Sequence, residues 1–299
     1  MDRTKAATYA MTAMLVAIAP AHGKATKQGT GAYPATYEER PDLPDHVVYR
    51  PARLAALGRE KLGIYVWGNG GCSADGTSSR NHLLEIASQG YLVIASGRIP
   101  RTPSTPQAAP TPGARLTVET STGLLSDAID WAQRENGRAG SPLRGHIAVD
   151  KVAVSGWSCG GLQALSTAQD PRVRTAVIMN SGFFKDGASP ISGVTSDKAL
   201  LAKLHTPVLY VLGGPSDIAA ANGADDFRCI GHVPAAMINI PVGHGGTYMQ
   251  PHGGIGAKVV TAWLDWQLKG RPNAKAAFVG QDCRYCHDTQ LTLERKRLN

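Results

Sequence analysis

Short, mostly apolar runs alternate along this chain with longer segments whose apolar residues recur at helical spacing. The apolar runs predict strands at 47–49, 64–67, 91–95, 152–154, 175–179, 208–212 and 237–242. The longer segments predict helices at 78–89, 117–136, 162–168 and 258–268. Strands that alternate with helices are typical of a parallel sheet covered on both faces. The pattern therefore predicts an α/β fold, with a mostly parallel central sheet and helices on both of its faces.

The chain divides into three predicted regions. Residues 1–21 combine an early positive charge, an apolar run and a small-residue site at 19–21, which is typical of a cleaved export signal. The apolar run is shorter than the roughly 20 residues of a membrane-spanning helix, and an uncleaved anchor is the alternative. Residues 22–44 predict an extended N-terminal segment. Residues 45–299 predict one domain with a Cys-containing C-terminal tail and no large cap domain.

Composition narrows the classes of function. With 42% apolar and 18% charged residues, the 299-residue chain can bury a sizeable core. Its net charge of +8 is dispersed, and the longest basic cluster is the short segment 295–297, so nucleic acid is not an expected partner. The export signal predicts a secreted or periplasmic protein with no stable membrane anchor. In that oxidising setting cysteines can pair, and the odd number of five leaves at least one outside any internal bridge.

The segment Gly156-Trp157-Ser158-Cys159-Gly160 matches the pattern G-x-S-x-G and lies between a predicted strand and a predicted helix. In that context the motif predicts a sharp turn that exposes the serine at the end of a strand. The small flanking residues let neighbouring backbone approach closely. We predict Ser158 as a nucleophile, against the alternative of a glycine-rich turn without chemistry.

A serine hydroxyl needs a histidine to accept its proton and a carboxylate to orient that histidine. Asp217 is the predicted acid, because it follows the strand at 208–212 in a glycine-rich turn. Asp225 and Asp226 are the alternatives, in what reads as a loop that enters a helix. His244 is the predicted base, because it closes the strand at 237–242 between two glycines, and His252 is the second choice.

A second glycine-rich turn follows the predicted strand at 64–67. Backbone N–H groups near Asn69 and Gly70 are predicted to hold an oxyanion, together with the N–H of Cys159, the residue after the nucleophile. Because Cys72 lies in this turn and Cys159 beside the serine, we predict that the two are close enough to form a disulfide. Their Cα atoms would then lie within about 7 Å of each other.

The tail carries a competing motif, in which Cys283, Cys286 and His287 form a C-x-x-C-H string. Alone this string is typical of c-type haem attachment. However, neither Met nor His follows His287 as a second axial ligand, and a haem also needs a pocket. A tail disulfide, or bonding of these thiols elsewhere, is the preferred interpretation. No second ligand pair has the spacing of a metal site, so no metal is expected.

The motif at Ser158, the turn that ends at Asp217 and the Gly-His-Gly turn at His244 together resemble the α/β-hydrolase superfamily, from about Val47 to Leu268. The chain looks most like its compact branch of dienelactone-hydrolase-like enzymes, cutinases and polyester hydrolases. That resemblance implies hydrolysis of carboxylic esters without a cofactor. Two features depart from it: the oxyanion turn has Trp67-Gly where many members have His-Gly, and dienelactone hydrolases proper use a cysteine nucleophile.

The sequence therefore predicts an exported serine esterase that acts on a small-molecule or polymeric ester. A non-catalytic binding protein on the same fold is the first alternative, and a haem carrier that uses the tail motif is the second. The intact set of serine, acid and base favours the enzyme, because fold alone does not give function and a degenerate member usually lacks one of the three. The sequence carries no signal for an oligomeric state.

Overall fold

A computed structural model describes residues 28–102, 116–185 and 189–298 of the chain. The predicted export signal and most of the proline-rich loop that follows the strand at 91–95 lie outside these ranges. Within the described ranges, no helix combines the length and the apolar character needed to cross a membrane.

The described strands form a nine-stranded sheet and a separate two-stranded ribbon. The strands are β1 (Ala35–Arg40), β2 (Leu43–Pro51), β3 (Leu62–Gly68), β4 (Tyr91–Ser96), β5 (Leu116–Thr117), β6 (Ile147–Trp157), β7 (Val173–Met179), β8 (Ile191–Ser192), β9 (Val208–Leu212), β10 (Ala235–Asn239) and β11 (Thr292–Lys296). The order in the large sheet is β1-β2-β4-β3-β6-β7-β9-β10-β11. Strands β4, β3, β6, β7, β9 and β10 pair in parallel, and β1, β2 and β11 add antiparallel pairs at the two edges.

Helices cover both faces of the sheet, as the alternating pattern predicts. They are α1 (Arg80–Ser88), α2 (Gly123–Gly137), α3 (Cys159–Thr167), α4 (Ala220–Cys229), α5 (Gly254–Gln267) and the short α6 (Pro272–Lys275). Alternate residues of β3 enter different cores: Ile64 packs with residues of α2, α3 and α4, whereas Tyr65 packs with residues of α1 and α5. This two-sided burial explains why the central strands are apolar throughout.

Some boundaries differ from those predicted. The helix predicted at 117–136 begins only at Gly123, because Thr117 belongs to β5 and pairs with β8. The N-terminal segment includes β1 and the start of β2, so residues 35–40 and 43–44 of this segment belong to the large sheet. The tail adds β11 to the opposite edge of that sheet, a strand that the sequence pattern did not predict. The chain is thus an α/β protein with a mixed, mostly parallel sheet.

Candidate active site

Ser158 occupies the turn between β6, which ends at Trp157, and α3, which begins at Cys159. Its backbone has φ 54° and ψ −118°, a left-handed conformation that is costly for any residue except glycine. Close packing maintains the turn, since a Cβ atom on Gly160 would lie 2.0 Å from the carbonyl oxygen of Gly68. A Cβ atom on Gly156 would lie 2.2 Å from the carbonyl oxygen of Gly160. A side chain at either glycine would therefore clash with neighbouring backbone, and the turn places Ser158 at the end of its strand.

The structure brings the three predicted residues together. His244 Nε2 lies 2.9 Å from Ser158 Oγ, and His244 Nδ1 lies 2.6 Å from Asp217 Oδ1. Because an ionised carboxylate only accepts hydrogen bonds, the ring proton of a neutral His244 lies on Nδ1. Nε2 is then free to accept the hydroxyl proton of Ser158. This is the arrangement in which a histidine can act as a general base toward a serine.

Asp217 is buried at the turn after β9 and accepts hydrogen bonds on both carboxylate oxygens. The Gly213 amide and the Asn180 side chain each donate to Oδ2 at 2.9 Å, and the Ala219 amide donates to Oδ1 at 3.0 Å. Burial alone would raise the pKa of Asp217. Hydrogen bonds from His244 and from these three donors outweigh burial and hold the pKa below its ordinary value. The carboxylate is thus ionised and fixed in orientation.

The alternative acids lie in a different cluster. Lys198 Nζ is 2.8 Å from Asp225 and 2.6 Å from Asp226, and the Phe183 amide donates to Asp226 at 2.7 Å. Burial raises the pKa of Asp226 to about 6, although Lys198 opposes this rise. These contacts give both carboxylates a structural role in α4. Asp217, rather than Asp225 or Asp226, is the acid that contacts His244.

The second candidate base is also placed elsewhere. His252 lies in a short 3₁₀ turn just before α5, and its Nδ1 is 3.8 Å from Glu85 Oε2. The ring is half exposed and contacts a residue of α1. His244 is therefore the histidine that the structure places against Ser158.

The predicted oxyanion turn follows β3 and contacts the nucleophile turn. The carbonyl oxygen of Asn69 accepts from the Gly160 amide at 3.0 Å, and the Asn69 side chain donates to Ser73 and Ser96 carbonyls. Asn69 thus shapes the turn through its carbonyl and amide groups. The N–H of Cys159 has no acceptor within α3, because Cys159 is the first residue of that helix. That N–H is available to a developing negative charge near Ser158.

Gly70 begins the short 3₁₀ turn Gly70–Cys72 and packs against the indole of Trp157. A Cβ atom on Gly70 would lie 2.3 Å from that ring, so the contact requires glycine. The same indole donates from Nε1 to the carbonyl oxygen of His244 at 2.8 Å. Trp157 therefore connects the predicted oxyanion turn with the loop that carries the base, a role that its place in the motif did not predict.

Cys72 and Cys159 form a disulfide, with their Cα atoms 5.3 Å apart. Both residues are buried, and the bridge joins positions that are 87 residues apart. The turn after β3 and the first residue of α3 are thus covalently connected beside Ser158. A second disulfide joins Cys283 and Cys286 in the tail, and Cys229 belongs to neither bridge.

The segment after β7 also contacts the site, and sequence reasoning missed it. The carbonyl oxygen of Met179 accepts from the Ser158 amide at 3.0 Å, and Ser181 Oγ donates to the Ser158 carbonyl at 2.7 Å. Asn180 lies between them and contacts Asp217. The available signal was the position of polar residues directly after an apolar strand, which is also what identified Asp217.

Two comparisons with known proteins found no match for this chain. No model of a protein family matches the chain, and a search of curated proteins finds no match. The site must therefore be interpreted from its own geometry.

Proposed function

We propose that the chain is an exported serine hydrolase that cleaves carboxylic esters through an acyl-enzyme on Ser158. The observation that carries this proposal is the continuous hydrogen-bonded path from Ser158 Oγ through His244 to Asp217. Each of these residues follows a different strand, so three separate connections converge on one point. Such convergence is more specific than any single motif.

The α/β-hydrolase fold is the finer description that we propose for the sheet. In that fold the nucleophile, acid and base follow one another in chain order, after successive parallel strands. Here the turn with Ser158 follows β6, the turn with Asp217 follows β9 and the loop with His244 follows β10. All three lie at the carboxyl ends of parallel strands, the edge at which open α/β sheets bind ligands.

The proposed reaction has two halves. In the first, Ser158 Oγ attacks the ester carbonyl carbon while His244 Nε2 takes the hydroxyl proton. The tetrahedral intermediate then breaks its bond to the alcohol, which leaves with that proton, and the acyl group remains on Ser158. In the second half a water molecule gives a proton to Nε2 and attacks the acyl carbon. The acid is released as Ser158 Oγ recovers its proton.

Two groups stabilise the charges that form on this path. Ionised Asp217 stabilises the imidazolium form of His244 and keeps its ring oriented. The N–H of Cys159, with an N–H from the turn at Asn69 and Gly70, is proposed to hold the oxyanion. The Cys72–Cys159 bridge keeps these two backbone segments together. Removal of one such donor typically costs about 100- to 1000-fold in rate in other hydrolases.

An ester is proposed as substrate because its leaving alcohol needs less help than an amine does, and nothing in the sequence points to a dedicated amide pocket. The resemblance to dienelactone-hydrolase-like enzymes, cutinases and polyester hydrolases leaves both small and polymeric esters open. The mechanism needs no cofactor. The two disulfides agree with a protein that matures in an oxidising compartment, and we propose a secreted or periplasmic location.

The tail disulfide argues against the haem alternative. Thioether attachment of a haem requires two free thiols, whereas Cys283 and Cys286 are bonded to each other. A binding protein on the same fold is the second candidate, because the same geometry could bind an ester without cleaving it.

The test is active-site labelling with a fluorophosphonate, which reacts with an activated serine. We expect labelling of the wild-type protein at Ser158 and none in Ser158→Ala, whose hydrolysis of p-nitrophenyl esters should fall by several orders of magnitude. Ser166→Ala is the matched control, because Ser166 lies on α3 and donates only to the carbonyl of Leu162. A Ser158→Ala protein with near wild-type hydrolysis would overturn the proposal, and a wild-type protein that resists the probe would favour the binding protein.

Ester panels then separate the two substrate classes. A series of p-nitrophenyl esters of increasing acyl length, assayed beside a polyester film, compares a small-molecule esterase with a polymer hydrolase. Release of soluble products from the film by wild-type protein, and not by Ser158→Ala, would identify the polymeric substrate.

A further inference from the structure

The segment that follows β7 contacts all three loops of the proposed triad, although it supplies none of the reacting groups. Met179 and Ser181 bond to the backbone of Ser158, as described above. Asn180, between them, reaches both the turn of Asp217 and the loop of His244. One short segment therefore relates the nucleophile, the acid and the base to each other.

The side chain of Asn180 is buried and uses both ends of its amide. Nδ2 donates to Asp217 Oδ2 at 2.9 Å and lies 3.2 Å from the carbonyl oxygen of Gly243, the residue before His244. Oδ1 accepts from the hydroxyl of Tyr248. A carboxylate and a carbonyl can only accept, so these neighbours determine which end of the amide faces the acid.

Tyr248 is also buried, on the loop that carries His244. Its ring packs against Trp157, Trp67 and His82, with centroid separations of 5.0, 5.8 and 5.8 Å. Burial raises the pKa of Tyr248 well above its ordinary value, so the hydroxyl keeps its proton and remains a donor. The hydroxyl thus fixes the amide of Asn180 from the side opposite Asp217.

The backbone at this position also favours asparagine. Asn180 has φ 44°, in the left-handed region, and its N–H donates to the carbonyl oxygen of Val211 at 2.7 Å. Asparagine tolerates this region better than most residues other than glycine. Glycine would accept the same backbone conformation but lacks the amide. A glycine variant therefore separates the requirement for this conformation from the requirement for the side-chain amide.

We propose that Asn180, oriented by the hydroxyl of Tyr248, is a positioning residue for the triad. It holds the carboxylate of Asp217 and the backbone before His244 in one hydrogen-bonded unit, so that the ring meets Ser158 at a reactive distance. This inference rests on the proposed hydrolase function and extends it to two residues that are not among the proposed reacting groups.

The first test compares two buried tyrosine hydroxyls in the same aromatic cluster. Tyr248→Phe removes the bond to Asn180, and Tyr65→Phe removes a hydroxyl that lies 3.3 Å from His82 Nε2 and does not contact the triad. We expect Tyr248→Phe to lower kcat about tenfold with little change in KM, because small misplacements of reacting groups are costly in rate. Tyr65→Phe should change kcat less than about twofold. Equal kcat values for the two variants would overturn the inference.

The second test removes the amide while it keeps the backbone. Asn180→Gly should lower kcat and the rate of fluorophosphonate labelling by about 30- to 100-fold. Because Tyr248 acts through Asn180, the double variant Asn180→Gly with Tyr248→Phe should be no slower than Asn180→Gly alone. If the two losses instead multiply, the hydroxyl and the amide act independently and the proposed unit is wrong.

A spectroscopic measurement separates this inference from the proposed function. The Nδ1 proton of His244, hydrogen-bonded to Asp217, should give a low-field proton resonance in wild-type protein. It should move or broaden in Asn180→Gly and Tyr248→Phe and stay unchanged in Tyr65→Phe. That result would support positioning even in a protein that failed to hydrolyse esters, whereas an unchanged resonance in all three variants would refute positioning even in an active one.

Discussion

Asp217 and Asp226 are both buried and both hydrogen-bonded, yet their environments shift the pKa in opposite directions. Asp217 accepts from two backbone amides, an asparagine and a histidine, and its pKa is lowered. Asp226 accepts from the ammonium group of Lys198, the Phe183 amide and the Tyr210 hydroxyl, and burial still raises its pKa to about 6. Hydrogen bonds thus outweigh the cost of burial at Asp217, whereas at the more deeply buried Asp226 they do not. A carboxylate that must stay ionised beside a base is better served by the first arrangement.

The largest expected effect separates the two carboxylates by activity. Asp217→Asn should lower kcat/KM about 10,000-fold, because an amide in this place no longer holds His244 in the tautomer that accepts from Ser158. This loss corresponds to about 5.5 kcal/mol of transition-state stabilisation. The measurement is steady-state hydrolysis of a p-nitrophenyl ester.

Asp226→Asn is the matched control for this comparison. It makes the same chemical change at a buried carboxylate that does not contact His244, and it should keep kcat/KM within about threefold. If both variants lost activity equally, the division between a catalytic and a structural carboxylate would be wrong.

The next largest expected effect is a loss of stability when Lys198, the cation beside Asp226, is removed. Lys198→Ala leaves Asp226 buried beside no positive charge, and we expect it to lower the free energy of unfolding by about 3 kcal/mol at pH 8. Lys203→Ala, at an exposed position of the same 3₁₀ helix (Lys198–Lys203), should cost less than about 0.5 kcal/mol. Urea denaturation of both variants measures the difference, and equal midpoints would show that the buried ion pair contributes nothing.

The smallest expected effect is a difference between wild-type protein and Asp226→Asn in how the free energy of unfolding depends on pH. The pKa of Asp226 is about 6 in the folded protein and about 3.8 as its ordinary value, so the folded state binds the proton more tightly. Stability from this group is therefore present below pH 3.8 and is lost as the pH rises through 6. Relative to Asp226→Asn, the wild-type free energy of unfolding should fall by on the order of 2 kcal/mol between pH 4 and pH 7.

The comparison with Asp226→Asn is needed because another buried group titrates in the same range. Burial lowers the pKa of His82 to about 3, so its contribution is present above pH 6.5 and is lost as the pH falls toward 3. This contribution is common to wild-type protein and Asp226→Asn and cancels in their difference. A difference that rose with pH would contradict the direction assigned to Asp226.

Much of the sheet and the three central site residues could be predicted from sequence, because each depends on a local pattern. Strand β9 is a run of apolar residues, and Asp217 follows it in a turn of glycines. Strand β11 lacked such a signal, since Thr292–Lys296 is mostly polar and pairs only at the sheet edge. The start of α2 was missed because β5 is defined by its pairing with the distant β8.

Asn180 and Tyr248 could not be predicted in the same way. They are 68 positions apart, and their hydrogen bond exists only once β7 and the loop after β10 are side by side. Likewise, the choice between Asp217 and Asp226 was made from their distance to a strand end, whereas their opposite pKa shifts depend on burial and on tertiary hydrogen bonds such as that from Asn180. Local patterns predicted the proposed reacting groups, whereas the groups that orient them depend on tertiary contacts.

The bridge between Cys72 and Cys159 has a consequence for how the protein must be made. Ribosomal synthesis supplies five thiols, and two correct pairs must be selected from them while Cys229 stays out. The long-range pair can close only after the chain has emerged past α3. Closure then lowers the entropy of the unfolded chain by the equivalent of about 4 to 5 kcal/mol in free energy. A preparation in a reducing cytosol would therefore contain molecules of correct sequence in which the proposed oxyanion turn is not covalently held. If the proposed function holds, the specific activity of a sample would then depend on its history of oxidation as well as on its purity.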